Sequence, residues 1–167
     1  MTELDIAKRR ALYLLGGRDY SRKELHKKLM NNYSEETCEK VLEFVEEYGY
    51  LDEERYAKRL ARHYIEVKKY GVRRAQYMMF QKGIDRETAD AVLAEYPEET
   101  RLDGLVQLIE QKYSDRLFGE GLEGRKELQK VVAALARRGF SYGEVKSAIE
   151  IVRENAEEDF DSHEWEE

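Results

Sequence analysis

The stretch RRGFSYGE, residues 137–144, decides how the fold of this chain is predicted. It places a glycine, an aromatic residue and a serine in succession, and a glutamate follows the serine three residues later. Glycine often closes a helix because it tolerates the left-handed backbone conformation. Serine with glutamate three residues later is typical of a capping box. The stretch therefore predicts a turn between two helices, with Gly139 closing the first and Ser141 capping the second.

Two weaker copies of this stretch occur upstream, NNYSEET at 31–37 and QKGIDRET at 81–88. Aligning the copies places Asn32, Gly83 and Gly139 in one column, followed by an apolar residue and then by Ser34, Asp85 and Ser141. Serine and aspartate are strong helix caps, and asparagine also tolerates the left-handed conformation. We therefore predict three equivalent turns, with Asn32 taking the place of glycine in the first.

Apolar residues recur at helical spacing on both sides of each turn, and each turn is preceded by two such segments. After the caps they are Cys38, Val41, Leu42; Ala89, Val92, Leu93; and Val145, Ala148, Ile149. This pattern predicts an all-α fold of three tandem three-helix repeats, which are helix-turn-helix-like units. A unit of about 50 residues buries little apolar surface alone, so we expect neighbours to share a core in an elongated, curved array. The predicted repeats span residues 1–51, 52–98 and 99–156.

Two segments depart from the repeat pattern. Residues 114–125 contain Gly119, Gly121 and Gly124, and we expect a mobile loop there between the first two helices of the third repeat. Residues 154–167 hold eight acids and no lysine or arginine, whereas residues 1–153 hold 29 basic and 28 acidic residues. The acidic character is therefore confined to the end of the chain, and we expect residues 157–167 to form a disordered, solubilising tail.

The sequence favours a non-enzymatic protein of the cytosol. It has no phosphate-binding glycine loop, no metal-ligand spacing among its histidines and Cys38, and no apolar run long enough to span a membrane. We predict no cofactor and no metal, and a lack of heptad pattern favours a monomer. Two carboxylates meeting in the fold would leave a nuclease or other hydrolase as an alternative. Aromatic residues at helical spacing, among them Tyr13, Tyr56, Tyr64 and Phe80, are expected in the core.

Basic residues recur at corresponding positions of the second and third repeats. Opposite the apolar face of residues 52–69 lie Arg55, Lys58, Arg59, Arg62 and Lys69. Further basic residues surround the second helix of each repeat: Arg73, Arg74 and Lys82, and then Arg125, Lys126, Lys130, Arg137 and Arg138. Any one of them is explained by solubility or by the helix dipole. Their repetition favours contact with an anion, either nucleic-acid phosphate or an acidic protein groove.

Four stretches carry a resemblance to a known family. They are ALYLLGGRDYSRKELHKKL (11–29), GYLDEERYAKRLARHYIEVKKYGVRRAQYMMFQKGID (49–85), LVQLIEQK (105–112) and KELQKVVAALARRGFSYGEVKSAI (126–149). In order and spacing the chain resembles the RecX family, small bacterial regulators of the recombinase RecA. The resemblance implies three tandem three-helix repeats. It also implies binding along the RecA filament on DNA, with modulation, usually inhibition, of recombinase, ATPase and co-protease activities in DNA repair, homologous recombination and the SOS response.

The resemblance also gives the basic residues a partner, the RecA filament, with single- or double-stranded DNA contacted directly or through RecA. The filament- or DNA-binding residues that it implies are Arg62, Lys69, Arg73, Arg74, Lys82, Arg137 and Arg138, with Arg18, Arg22 and Lys23 contributing less. The alternative is a stand-alone DNA-binding protein of the helix-turn-helix type. The near-neutral body argues against that alternative, because such domains usually carry a basic excess.

If the acidic tail competes with DNA or the filament for the basic residues, deleting residues 154–167 will tighten binding at low salt. The eight acids would then no longer screen the cations, and the gain should shrink as salt is added. Binding of the full-length and shortened chains across a salt series measures this. Equal affinity at low salt would contradict the competition.

Overall fold

The protein is all-α in the computed structural model, which describes residues 1–164, with side chains described through residue 161. Nine α-helices and no strand occur within these residues. The helices are α1 (Glu3–Gly17), α2 (Arg22–Met30), α3 (Glu35–Glu47), α4 (Glu53–Arg62), α5 (Val72–Gln81), α6 (Arg86–Leu93), α7 (Glu98–Lys112), α8 (Gly121–Arg137) and α9 (Tyr142–Glu164). The predicted fold of three three-helix repeats is confirmed. The residue boundaries of the repeats stay predictions.

The predicted helix caps are present at the start of the third helix of every repeat. The side chains of Ser34, Asp85 and Ser141 each accept the backbone N–H three residues later, at 3.3, 2.8 and 3.2 Å. In the third repeat Glu144 also accepts the N–H of Ser141 at 3.0 Å, which completes the capping box. The same device begins α2, where Ser21 and Glu24 form a reciprocal pair.

The left-handed turn is confirmed at two of its three predicted positions. Gly83 and Gly139 have φ values of +89° and +99°. The N–H of the next residue reaches the carbonyl five residues back, a bond that requires this conformation: Ile84 to Met79, and Phe140 to Leu135. The prediction for Asn32 is wrong, because its φ is not positive. There the N–H of Tyr33 bonds the Leu29 carbonyl four residues back, as in an ordinary helical turn.

Each repeat packs its third helix against its first: α3 on α1, α6 on α4 and α9 on α7. The nine apolar residues predicted to follow the caps are all buried. Cys38 is among them, and burial raises the pKa of its thiol, which agrees with a core residue rather than a reactive one. The hydrophobic faces were therefore predicted correctly.

The chain divides into two compact units. The first consists of residues 1–63 and 76–94, and the second of residues 64–75 with the described part of 95–167. The first unit contains a contact between consecutive repeats that we call the first joint: Ser21, Lys82 and Gly83. The Ser21 hydroxyl donates to the Lys82 carbonyl at 2.6 Å, and a Cβ on Gly83 would lie 2.6 Å from the same hydroxyl.

The second unit contains an equivalent contact, the second joint, formed by Gly71, Arg138 and Gly139. The Gly71 N–H donates to the Arg138 carbonyl at 2.7 Å. A Cβ on Gly71 would overlap the backbone of Gly139, and a Cβ on Gly139 would overlap the backbone of Arg74. In both joints the segment before the second helix of one repeat meets the turn of the next. The joints depend on the absence of side chains at these glycines.

The structure differs from the sequence prediction at the two irregular segments. Helix α8 begins at Gly121, so the expected loop at 114–125 ends earlier, and a short 3-10 helix occupies Ser114–Arg116. Gly119 and Gly124 are in close backbone approach, which explains these glycines by packing rather than by mobility. The tail expected to be disordered is helical as far as Glu164, since glutamate and alanine favour helix. Residues 165–167 lie outside the described residues.

Replacing Gly71 with Ala should destabilise the second unit. The new methyl group has no room, because the atoms it meets are the backbone of Gly139 rather than a movable side chain. We expect a loss of about 1–3 kcal/mol in the free energy of unfolding, measured by urea denaturation.

Gly104→Ala is the matched control for this substitution. Gly104 lies within α7 in the same unit, and a Cβ there meets nothing within 4 Å. The control should raise stability by about 0.5–1 kcal/mol, because alanine favours helix over glycine. Equal effects of the two substitutions would show that the second joint is not close-packed.

Candidate functional site

The seven predicted binding residues lie in two groups, one in each unit. Arg62 and Lys82 belong to the first unit. The second unit holds the other five: Lys69, Arg73, Arg74, Arg137 and Arg138. Lys82 and Arg138 belong to the two joints, and Arg62 is the last residue of α4. The residues that surround the two groups differ in their charges.

Three of the five predicted binding residues in the second unit, Lys69, Arg74 and Arg138, lie at or next to the second joint. The Arg138 guanidinium donates to the carbonyl oxygens of Lys68 at 2.9 Å and Lys69 at 3.4 Å. Lys69 has a φ of 56°, the only positive value at a non-glycine among the described residues. The Arg74 guanidinium lies 5.1 Å from the centre of the Tyr70 ring. Arg138 therefore supports the chain around Lys69, and its role is partly structural.

Arg73 and Arg137 are placed differently. Both side chains are exposed, and within residues 1–161 neither makes a hydrogen bond or an ion pair. Arg137 lies in the last turn of α8, directly before the second joint. These two guanidinium groups are therefore available to a partner.

A cleft of about 630 Å³ adjoins Lys69 in the second unit. Its apolar lining includes Ile65, Val72, Leu102 and Phe140. Its charged lining consists of four carboxylates and two cations: Glu66, Glu98, Asp103, Glu144, Lys69 and Arg101. Arg101 pairs with Glu144 at 3.4 Å. The carboxylates would repel phosphate, whereas a lining that combines apolar residues with charges of both signs resembles a protein-binding surface.

The cationic stripe predicted on the segment 52–69 is largely engaged in internal ion pairs. Asp19, whose side chain is 15% exposed, accepts from Arg55 at 3.3 Å and from Arg59 at 2.6 Å. Lys58 pairs with Glu54 at 3.4 Å. The regular helix ends at Arg62 and continues as a π-helix over His63–Val67. Arg62 is exposed at this change of helix type.

Lys82 lies in a basic groove of the first unit, which has a volume of about 520 Å³. We define the basic groove by the five cations that line it, Arg18, Lys23, Lys27, Lys28 and Lys82, together with Glu24 and Phe80. Lys27 and Lys28 were missed from the sequence because in isolation they resemble an ordinary soluble helix face. The weaker prediction for Arg22 is not supported, since its guanidinium pairs with Glu39 at 3.0 Å and Glu46 at 2.7 Å.

Two aromatic residues expected in the core are exposed. Tyr56 and Tyr64 are buried as predicted, but Tyr13 and Phe80 are 74% and 64% exposed. Helix α5 buries Met79, and the next residue points away by about 100°, which takes Phe80 off the apolar face. Phe80 instead lines the basic groove, with the Lys23 ammonium 5.9 Å from its ring centre.

A buried phenol, that of Tyr56, contacts Glu24 and Arg18, two residues that line the basic groove. Burial, together with the hydrogen-bonded carboxylate of Glu24, raises the pKa of Tyr56 to about 12, while Arg18 opposes the shift. Glu24 pairs with Arg18 at 3.4 Å. The Arg18 guanidinium also lies 3.7 Å from the centre of the Tyr20 ring. These contacts fix Arg18 at the edge of the groove.

Within the described residues, no group of three or more His, Cys, Asp or Glu side chains is arranged to hold a metal ion. No helix among them is long and apolar enough to cross a membrane.

Comparison with known proteins identifies all three repeats. Family models for the first, second and third three-helix domains of RecX match residues 7–44, 52–93 and 99–149. A regulatory protein RecX of Vibrio parahaemolyticus is 31% identical over 144 residues, covering 86% of this chain and 89% of that protein. A regulatory protein RecX of Clostridioides difficile is 27% identical over 143 residues, and this chain spans 66% of its length.

Solved structures show the same fold. A crystal structure of RecX from Lactobacillus salivarius superposes with a TM-score of 0.81 over 90% of this chain and 96% of that one, at 21% identity. A second crystal structure of a regulatory protein RecX gives a TM-score of 0.75 over 90% and 71%.

Replacing Tyr56 with Phe should weaken the dependence of stability on alkaline pH. In the folded protein the phenol keeps its proton up to about pH 12, whereas in the unfolded chain it loses it near 10.0. Stability should therefore fall as pH rises through this window, by about 1 kcal/mol after allowance for the solvent that still reaches the group. Urea unfolding of both proteins from pH 9 upward measures the difference, and parallel curves would contradict it.

Proposed function

Because the chain belongs to the RecX family of regulatory proteins, we propose that it binds the RecA filament on DNA and regulates RecA without catalysing a reaction itself. The expected effect is inhibition of RecA's recombinase, ATPase and co-protease activities. This role belongs to DNA repair, homologous recombination and the SOS response, and it would be exercised in the cytoplasm. The protein would act as a monomer.

The observation that carries the proposal is the surface of the second unit. Arg73 and Arg137 have exposed guanidinium groups that make no ion pair within residues 1–161. Val72, next to Arg73, and Phe140, three residues after Arg137, line a cleft that combines apolar residues with charges of both signs. Such a surface suits a protein partner with acidic groups at its rim. Lys69 lines the cleft, and Arg74 and Arg138 lie at the second joint. Arg62 and Lys82 of the first unit are proposed as further contacts to the filament.

The alternative of a helix-turn-helix DNA-binding protein gains no support from the helices that would enter a groove. In that arrangement the helix after the turn lies against the bases. Helix α3 carries six glutamates and one lysine. A helix of this charge would be repelled by the phosphates on both sides of the groove.

Arg137→Ala should weaken inhibition of RecA and cost no more stability than the helix-dipole contribution of about 0.3–1 kcal/mol. Removing one exposed cation at an interface rim should raise the concentration needed for half-inhibition about 3- to 10-fold. Titration into RecA's DNA-dependent ATP hydrolysis and strand exchange measures the effect. Lys112→Ala, which removes another exposed cation of the second unit, is the matched control and should behave as the unchanged protein.

Arg138→Ala tests a residue that has both a structural role and a proposed binding role. It removes the donor to the carbonyls of Lys68 and Lys69, so we expect a loss of about 1 kcal/mol of stability as well as weaker inhibition. The proposed function would be overturned by two results together. RecA activities would not respond to the protein at all, and the protein would bind bare duplex DNA tightly across a salt series.

A further inference from the structure

We propose that the cleft of the second unit binds a segment of a protein partner that presents an apolar side chain next to a lysine or arginine. The inference rests on the proposed function, because it concerns the same cleft, and it goes further by naming the chemistry of the segment that enters. Arg73 and Arg137 lie outside the lining of the cleft. They would meet acidic groups of the partner, while the cleft itself takes a cation.

The first reason is a pair of helical glycines that the fold of this chain does not require. Gly104 lies within α7 and Gly143 in the first turn of α9, and both line the cleft. Neither has a positive φ, and a Cβ at either position would meet nothing within 4 Å. Glycine weakens a helix relative to alanine. These two glycines therefore cost stability without any return in backbone conformation or internal packing.

Other glycines of the second unit are explained by packing. Gly71 also lines the cleft, but a Cβ there would overlap the backbone of Gly139 in the second joint. Gly104 and Gly143 lack such a neighbour, and their open sides face the cleft. Glycine permits another backbone to come close to a surface. The missing side chains at these two positions leave room for a partner.

The second reason is the apolar part of the lining. The cleft has a volume of about 630 Å³. This lies within the roughly 300–1,000 Å³ that is typical of sites for small ligands. Leu105 and Phe140 belong to the buried core of the second unit, and Leu102 packs against that core. The lining is therefore continuous with the core, and an apolar side chain that enters the cleft is removed from water.

The third reason is an excess of negative charge, because the lining holds four carboxylates and two cations. Arg101 is already paired with Glu144. Within the described residues no cation pairs with Glu98 or Asp103. The helix dipole stabilises Glu98 in the first turn of α7, but it offers little to Asp103 in the middle of that helix. A cation brought by a partner would supply the counter-charge that this chain does not.

These features favour a basic and apolar segment over other occupants. A phosphate or an acidic segment would place its charge beside Glu98 and Asp103, with only Lys69 of the lining outside an ion pair among the described residues. A purely apolar segment would partly desolvate the two carboxylates without a partner for them. Charge complementarity therefore selects lysine or arginine beside the apolar side chain.

The experiment uses the isotope-labelled full chain and three synthetic peptides of the sequence serine-leucine-X-phenylalanine-X-serine, in which X is lysine, glutamine or glutamate. Backbone amide chemical shifts identify the residues that each peptide contacts, and they remain readable when binding is weak. The lysine peptide should shift the amides of Gly104 and Gly143. It should bind about 10-fold more tightly than the glutamate peptide, with the glutamine peptide between them.

Gly104→Leu should weaken binding of the lysine peptide about 10-fold, because the new side chain occupies the cleft and clashes with the peptide. Gly16→Leu is the matched control, since Gly16 is a helical glycine of α1 with equally open surroundings and does not line the cleft. Gly104→Ala gives a second measurement. It should raise stability and still weaken binding, a combination that partial unfolding does not produce.

The charge of the cleft is tested separately. Glu98→Gln with Asp103→Asn should reduce the preference for the lysine peptide over the glutamate peptide from about 10-fold to about 2-fold. Glu95→Gln with Glu99→Gln is the control, because it removes the same charge from exposed carboxylates of the second unit that do not line the cleft. This control should keep the full preference.

Three results would overturn the proposal: the lysine peptide shifts no amide of the cleft, the glutamate peptide binds as tightly, or Gly104→Leu binds like the Gly16→Leu control. The same proteins separate this inference from the proposed function. Titrated into RecA's ATP hydrolysis, Gly104→Leu should inhibit less than Gly16→Leu, and equal inhibition would contradict the inference alone. A chain that binds the lysine peptide in its cleft but has no effect on RecA would contradict the proposed function alone.

Discussion

The close approach of two backbones at the second joint is the constraint on which the surface of the second unit depends. Gly71 donates to the Arg138 carbonyl, and no side chain separates it from Gly139. Because the approach is between backbones, a larger residue on either side has no rotamer that relieves the overlap. The first joint meets the same requirement with one glycine and a serine hydroxyl. A repeat of about 50 residues buries little apolar surface alone. It is joined to its neighbour at a contact that tolerates few substitutions.

The joints also decide where several of the proposed binding cations lie. Each joint contains the turn that closes the second helix of a repeat, and basic residues precede that turn: Lys82 in one case and Arg137 with Arg138 in the other. The same contact that assembles the repeats therefore presents cations beside a groove or a cleft. The two surfaces nevertheless differ, because Phe80 and four lysines line one and four carboxylates line the other. The mixed charge of the cleft is the basis for proposing a protein partner there.

The errors of sequence interpretation have specific physical causes. Asn32 was aligned with two glycines, but the first turn closes through a bond four residues back and needs no left-handed residue. Phe80 was assigned to the core from its spacing, although one step along the helix removes it from the buried face. Arg22 was grouped with other cations, yet Glu39 and Glu46 of α3 neutralise it. A local hydrogen bond decided the outcome at Asn32, a small rotation decided it at Phe80, and pairing with another helix decided it at Arg22.

The amino-acid sequence by itself determined the local structure and the family. The caps, the turns at Gly83 and Gly139 and the apolar faces are written within a few residues of one another, so helical geometry alone predicts them. Only the tertiary structure decided which charges are free. Whether Arg59 binds Asp19, whether Arg138 supports Lys69 and whether Lys27 faces Lys82 depend on contacts between residues that are 40 to 70 positions apart. Such contacts arise only when the repeats are joined, because the pairing of a charge is a property of its neighbours in space.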